Sequence, residues 1–211
     1  MEDVINNLLE LYAEMDRQIS SFQASTGLHC LPGCGRCCSS PHVEATILEM
    51  IPVAREIHKL READQWLKRI EGTREGFPCV FYLPDPIIPG NGRCIHYHLR
   101  PLLCRLFGFT AVKNKYGQPV FAVCTHIKKN MPIQVAGIYE MIHKGLKVPC
   151  FSDFSIRISN LGPYLGSRLL PINLALQIAL EREGLRDLIN DKQGCDPEAQ
   201  SRLTQTGFFM G

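Results

Sequence analysis

Apolar residues fall on one helical face from residue 3 to residue 24, where Val4, Ile5, Leu8, Leu9, Tyr12, Met15, Ile19 and Phe22 predict an amphipathic helix closed by Gly27. A second helical pattern runs from about Val43 to Ile70, through Ile47, Ile51, Ala54, Ile57, Leu60, Ala63 and Leu67. Pro52 lies inside it and predicts a kink or two helices in series. Residues 76–97 are rich in proline and glycine and read as loop, with a short strand at Val80 to Leu83. Arg100-Pro101 opens a short helix from Pro101 through Phe107, with proline at its first position and Gly108 as its stop. Phe109 to Val112 and Val120 to Val123 flank Lys115-Tyr116-Gly117-Gln118 and predict a hairpin. From about Pro132 the pattern is mostly helical, most clearly from Pro171 to Ile189, where Ile172, Ala175, Leu176, Ala179 and Leu180 form one stripe. The expected fold is mainly α, with irregular loops and a small β-hairpin.

Composition changes this picture little. With 211 residues, 45% hydrophobic and 21% charged, the chain suits one compact domain, or a core with an appended helical region. It can build an apolar core without help from a metal. The balance of 23 basic and 21 acidic residues gives a net charge of +2. No basic stripe accompanies it, so nucleic acid is not an expected partner. Met1-Glu2-Asp3 begins no secretory leader, and no apolar stretch approaches a membrane span, so a soluble, cytoplasmic protein is expected.

The cysteines change the picture entirely. There are ten, and in a reducing compartment such a framework points to metal rather than to disulfides. Eight lie between positions 30 and 124: Cys30, Cys34, Cys37, Cys38, Cys79, Cys94, Cys104 and Cys124. Gly33 and Gly35 let the backbone of the Cys30–Cys38 segment turn around a shared site. Adjacent residues rarely chelate one ion, because the ring they close is cramped. Cys37 and Cys38 are therefore expected to divide between two metals or two roles, in a polynuclear site or two neighbouring sites. Arg36, Arg93 and Arg105 each sit beside a thiol and are candidates to offset thiolate charge. His29, His96 and His126 stand close enough in sequence to replace a thiol ligand, though each is better explained as an ordinary residue. Cys150 and Cys195 are read as a small core residue and a surface or tail residue.

Four motifs in order carry a resemblance: Cys30-Leu31-Pro32-Gly33-Cys34-Gly35-Arg36-Cys37-Cys38, Pro78-Cys79, Gly92-Arg93-Cys94-Ile95, and Arg100-Pro101 with Cys104-Arg105. Together they resemble the YkgJ-like zinc- or iron-chelating domains with a CxxCxxCC signature, over roughly residues 28 to 125. The resemblance implies metal ligation by Cys30, Cys34, Cys37, Cys38, Cys79, Cys94 and Cys104, with Cys124 fitting as an eighth. The expected organisation is an N-terminal helix (1–27), a cysteine-cluster metal-binding domain (28–126) and a helical C-terminal region (127–211) packed on the same core. Zinc and iron–sulfur both suit all-thiolate sites. A second Cys-x2-Cys to close a zinc ribbon is missing, and the ligand segments are widely separated, which favours an iron–sulfur cluster. The implied role is structural, redox or in maturation. Two alternatives stand beside it. One is a cluster-dependent protein-modifying enzyme, since a branch of the family looks like flagellin lysine methylases. The other is a zinc-braced module that binds a protein partner. The Cys30-x3-Cys34-x2-Cys37 spacing also occurs in radical adenosylmethionine enzymes, but Arg36 replaces their usual aromatic and the alternating strands and helices they need are absent.

Overall fold

The structure is a computed structural model, which describes residues 1–73 and 76–193, with side chains through 189. Helix α1 (Glu2–Thr26) ends where Gly27 adopts a left-handed conformation (φ 69°) and donates its N–H to Gln23 O. Its buried stripe is close to the expected one: Leu9 is exposed, Leu11 is buried in its place, and Val4 is only partly buried. Strand β1 (Glu44–Ala45) precedes α2 (Ile47–Lys59) and α3 (Ala63–Glu71). The second helical pattern is thus two helices in series, but the break falls at Arg61 (φ 59°), while Pro52 stays inside α2. Leu60, expected on the apolar face, caps α2 and is exposed.

Strands β2 (Tyr82–Pro84) and β3 (Gly92–Cys94) then pair antiparallel, with Tyr82 opposite Cys94. A 3-10 turn (Tyr97–Leu99) leads into α4 (Leu102–Leu106). The expected hairpin is present as β4 (Thr110–Lys113) and β5 (Pro119–Ala122). Helices α5 (Thr125–Asn130), α6 (Pro132–His143), α7 (Phe151–Leu161) and α8 (Pro163–Gly166) follow. Strand β6 (Leu170–Pro171) pairs with β1, and α9 (Ile172–Gln193) completes the described chain. The protein is therefore helical, with small antiparallel strand pairs and no closed sheet among the described residues.

One apolar cluster runs through these elements. Leu8, Met15 and Phe22 of α1 join Leu48, Ile51 and Ile57 of α2, Leu106 of α4, Ile158 of α7, and Ala175, Leu176 and Ala179 of α9. Cys79, Cys94, Cys104 and Cys124 pack against its edge. The core places the cysteine loops, and burial of these side chains stabilises it by about 25 cal/mol per Å² of apolar surface. Among the described residues, no helix is long and apolar enough to cross a membrane.

Candidate metal centre

The Cys30–Cys38 segment is folded by its own turns. The Cys34 N–H donates to Leu31 O (3.1 Å), and the N–H groups of Cys38 and Ser39 both donate to Gly35 O (3.0 Å each). The loop then docks on the start of β3: Gly92 N–H donates to Gly33 O (2.9 Å) and Cys34 bridges to Asn91. Side chains would block this approach. A Cβ on Gly35 would meet the Tyr82 ring at 2.7 Å and the Gly92 Cα at 3.0 Å. One on Gly92 would meet the same ring at 2.4 Å and Leu83 O at 2.6 Å. Two glycines pressed together under Tyr82 are what bring Cys37 and Cys38 to the side of Cys94.

Three further segments supply the remaining thiols. Asn173, in the first turn of α9, accepts from Val80 N–H (3.0 Å) and donates to Pro78 O (3.0 Å), pinning the stretch that carries Cys79. Cys104 rides on α4, whose first N–H group, that of Leu102, donates to the buried Glu49 carboxylate (2.7 Å). The other Glu49 oxygen accepts from the backbone N–H and hydroxyl of Thr46 (2.9 and 2.8 Å), closing a capping box on α2. Buried Arg105 donates to Asp16 (2.6 Å), to Arg100 O (2.7 Å) and to His98 O, so it fixes the turn before α4. Cys124 is the N-cap residue of α5, and Arg36 Nε donates to His126 Nε2 (3.0 Å), tying that end to the first cysteine loop.

The thiols line two adjoining cavities. Cys38, Cys79, Cys94 and Cys104 line an enclosed one of about 20 Å³, whose other walls include Val43, Met50 and Phe81. Cys30, Cys34, Cys37 and Cys124 line a larger, more open one of about 280 Å³, bordered also by Cys104. The neighbours Cys37 and Cys38 thus face different cavities, with their sulfurs 3.9 Å apart. Among the described residues no three His, Cys, Asp or Glu side chains are already drawn together as tightly as a bound ion requires.

Charge at the site is uneven. Cys38 shares hydrogen bonds with Cys37 and Cys94 and holds its own proton strongly. Those bonds bring Cys37 down to about 6 and Cys94 to about 7. Burial pushes Cys79 up to about 12 and raises Cys104 as well. Cys30, although exposed as a residue, is pushed up to about 11 by partial loss of solvent around its sulfur and then by the charges of Cys37, Cys34 and Cys124. A metal cation would invert this order, since it binds the thiolate and displaces the proton.

The guanidinium that serves these thiols is Arg100, which sequence reasoning did not single out. It lines both cavities and favours the thiolate at Cys30, Cys37, Cys94 and Cys104. Its plane lies 3.4 Å from the centre of the Tyr97 ring, and it donates to Tyr97 O (2.9 Å) and Cys104 O (3.2 Å). The signal was its place in the Arg100-Pro101 motif, four residues before Cys104. Of the arginines expected beside sulfur, Arg36 does line the open cavity, Arg93 is exposed on β3, and Arg105 is committed to structural hydrogen bonds.

The histidines have other partners. His29 Nδ1 lies 3.0 Å from Gly27 O, and His126 accepts from Arg36. His96 and His98 each lie 3.1 Å from a Glu56 oxygen, although His96 also borders the enclosed cavity. Cys150 lines neither cysteine cavity; it caps α7, with its sulfur 3.3 Å from Ser152 Oγ. Cys195 lies outside the described residues. All nine cysteines of the described residues are free thiols.

A helical frame whose loops deliver eight thiols to adjoining cavities defines a cysteine-rich site with the donor chemistry of a soft-metal chelator. Residues 29–125 match the CxxCxxCC family model, described as "Putative zinc- or iron-chelating domain". The match spans all four motifs and all eight of these cysteines. No curated protein and no solved structure matches the chain.

Proposed function

We propose that this protein is an iron–sulfur protein, its iron held by thiolates drawn from Cys30, Cys34, Cys37, Cys38, Cys79, Cys94, Cys104 and Cys124. The observation that carries the reading is the convergence of these eight thiols, from five separated stretches of chain, on two adjoining cavities. The donor set fits the group: sulfur only, partly buried, with one guanidinium facing both cavities. Thiolate-bound iron would supply one-electron redox chemistry, tuned by burial and by hydrogen bonds to sulfur. The chain's own residues supply the rest. Arg100 offsets the excess negative charge of the thiolates, the Gly35–Gly92 contact sets the loop, and the apolar wall of Phe81, Met50 and Val43 excludes water.

Zinc is the second occupant to consider, and the enclosed cavity favours it, because its small size suits one closed-shell ion in a structural role. Assay of iron, zinc and acid-labile sulfide in full-length protein prepared with and without oxygen separates the two. Iron accompanied by sulfide in the oxygen-free preparation is expected. Zinc without sulfide in both preparations would replace the iron–sulfur reading with a zinc-braced one, and neither metal in either would end both.

A further inference from the structure

We infer that the eight thiols form two separate four-thiolate centres: an enclosed centre of Cys38, Cys79, Cys94 and Cys104 that holds a single ion permanently, and an open centre of Cys30, Cys34, Cys37 and Cys124 whose metal exchanges with solution. The inference rests on the metal-binding reading above and adds number, membership and accessibility to it.

Three observations carry the division. The first is membership: Cys38, Cys79 and Cys94 line only the enclosed cavity and Cys30, Cys34, Cys37 and Cys124 only the open one, while Cys104 borders both and completes a set of four in the first. Four is the number that closes a tetrahedral thiolate shell around zinc or iron. The second is the split of the adjacent pair. Cys37 lines only the open cavity and Cys38 only the enclosed one, their sulfurs meeting at 3.9 Å across the boundary, so neither ion needs the cramped chelate ring of two neighbouring residues. The third is the contrast in walls. The enclosed cavity, at about 20 Å³, has room for about one water-sized body. It is bounded by Phe81, Met50, Val43 and Ile172, residues of the core edge. The open cavity is more than ten times larger and is bordered by Asp16, Arg36 and Tyr97, with Cys30 itself exposed.

Different origins in the chain reinforce the division. The enclosed set takes only Cys38 from the first cysteine loop; its other three thiols come from the Cys79 stretch, β3 and α4, and the first and last of these are anchored to the core through Asn173 and Glu49. The open set draws three of its four thiols from the single segment 30–37 and the fourth from the start of α5. A centre built on core-anchored segments opens only when the fold does, whereas one built on a surface loop opens by local motion.

The test uses full-length protein, measuring metal per chain before and after dialysis against EDTA, in wild type, C30S, C124S and C79S. Wild type should hold two classes of metal, one stripped by EDTA and one that resists. C30S and C124S should lose the stripped class and retain the resistant one at the wild-type amount, while C79S loses the resistant one. Should C79S fail to fold, C30S and C124S decide alone. A wild type that carries metal, but loses all of it together in C30S or C124S, overturns the division and leaves a single polynuclear centre. A wild type with no metal at all overturns instead the metal-binding reading on which the division stands.

Discussion

Substituting Gly92 by alanine tests how the cysteine loop is positioned. The new Cβ would sit 2.4 Å from Tyr82 Cε2 and 2.6 Å from Leu83 O, and the second of these is backbone in the paired strand, which cannot swing aside. Overpacking of this kind costs about 1–3 kcal/mol, and the backbone contact puts this site at the upper end. Gly117 provides the control. It too has a positive φ (76°), but a Cβ there meets nothing within 4 Å, so G117A carries only the conformational term of about 1 kcal/mol. In a chain of this length each kcal/mol moves the midpoint of thermal unfolding by about 2–4 °C. Circular dichroism melts of metal-free protein should therefore show G92A falling by about 6–12 °C and G117A by about 2–4 °C. Metal uptake should drop in G92A and stay at the wild-type level in G117A, because only the first displaces Cys37 and Cys38 from Cys94. Equal shifts for the two variants would refute the close-approach argument.

Other expectations follow from single contacts. N173A leaves Val80 N–H and Pro78 C=O without their partner, and should cost about 1–3 kcal/mol in urea unfolding while lowering metal content; unchanged stability would count against Asn173 as the anchor of Cys79. E49Q keeps the shape but presents an NH2 group to a backbone donor, at Thr46 or at Leu102, since both carboxylate oxygens accept such bonds. It should destabilise by about 1–3 kcal/mol, and a gain in stability would mean that relief from burying the charge outweighs the lost acceptor. Glu14 is held below the usual carboxylate range by its hydrogen bonds from Arg157. Its contribution is complete above the unfolded value and lost as pH falls through the lower folded one, so E14Q should be less stable than wild type at pH 7, with the gap closing below about pH 4. A gap independent of pH would contradict the ion pair as its source. Metal loading at neutral pH should release protons, because burial holds Cys79 and Cys104 protonated without it. Calorimetry in buffers of different ionisation enthalpy reads this directly, and identical heats would refute it.

The sequence showed the helices because their apolar spacing is long and regular, as in α1 and α9. It misplaced the break in the second pattern because Pro52 needed only to give up one N–H, whereas Arg61 turns the chain through a positive φ that no residue preference announces. β2 overlaps the short strand expected at Val80 to Leu83, but its partner β3 was hidden in a stretch read as loop, since a strand of three residues has no visible period. The candidate thiols were legible by spacing, and so was the need to divide Cys37 from Cys38. Which thiol joins which cavity depends on β2–β3 pairing and on the seat of α4, and these are tertiary facts. Glu49 was within reach, since Thr46-x-x-Glu49 has the form of a capping box. Asn173 was not, because its partners lie 93 and 95 residues away.

X-ray absorption on the as-isolated full-length protein, at the edge of whichever metal it carries, reads the atoms bound to that metal. Thiolate ligation predicts a first shell of sulfur alone, at about 2.3 Å for zinc, with an added iron–iron vector if the metal is a cluster. A first shell of oxygen and nitrogen would contradict the assignment of these cysteines as the ligands.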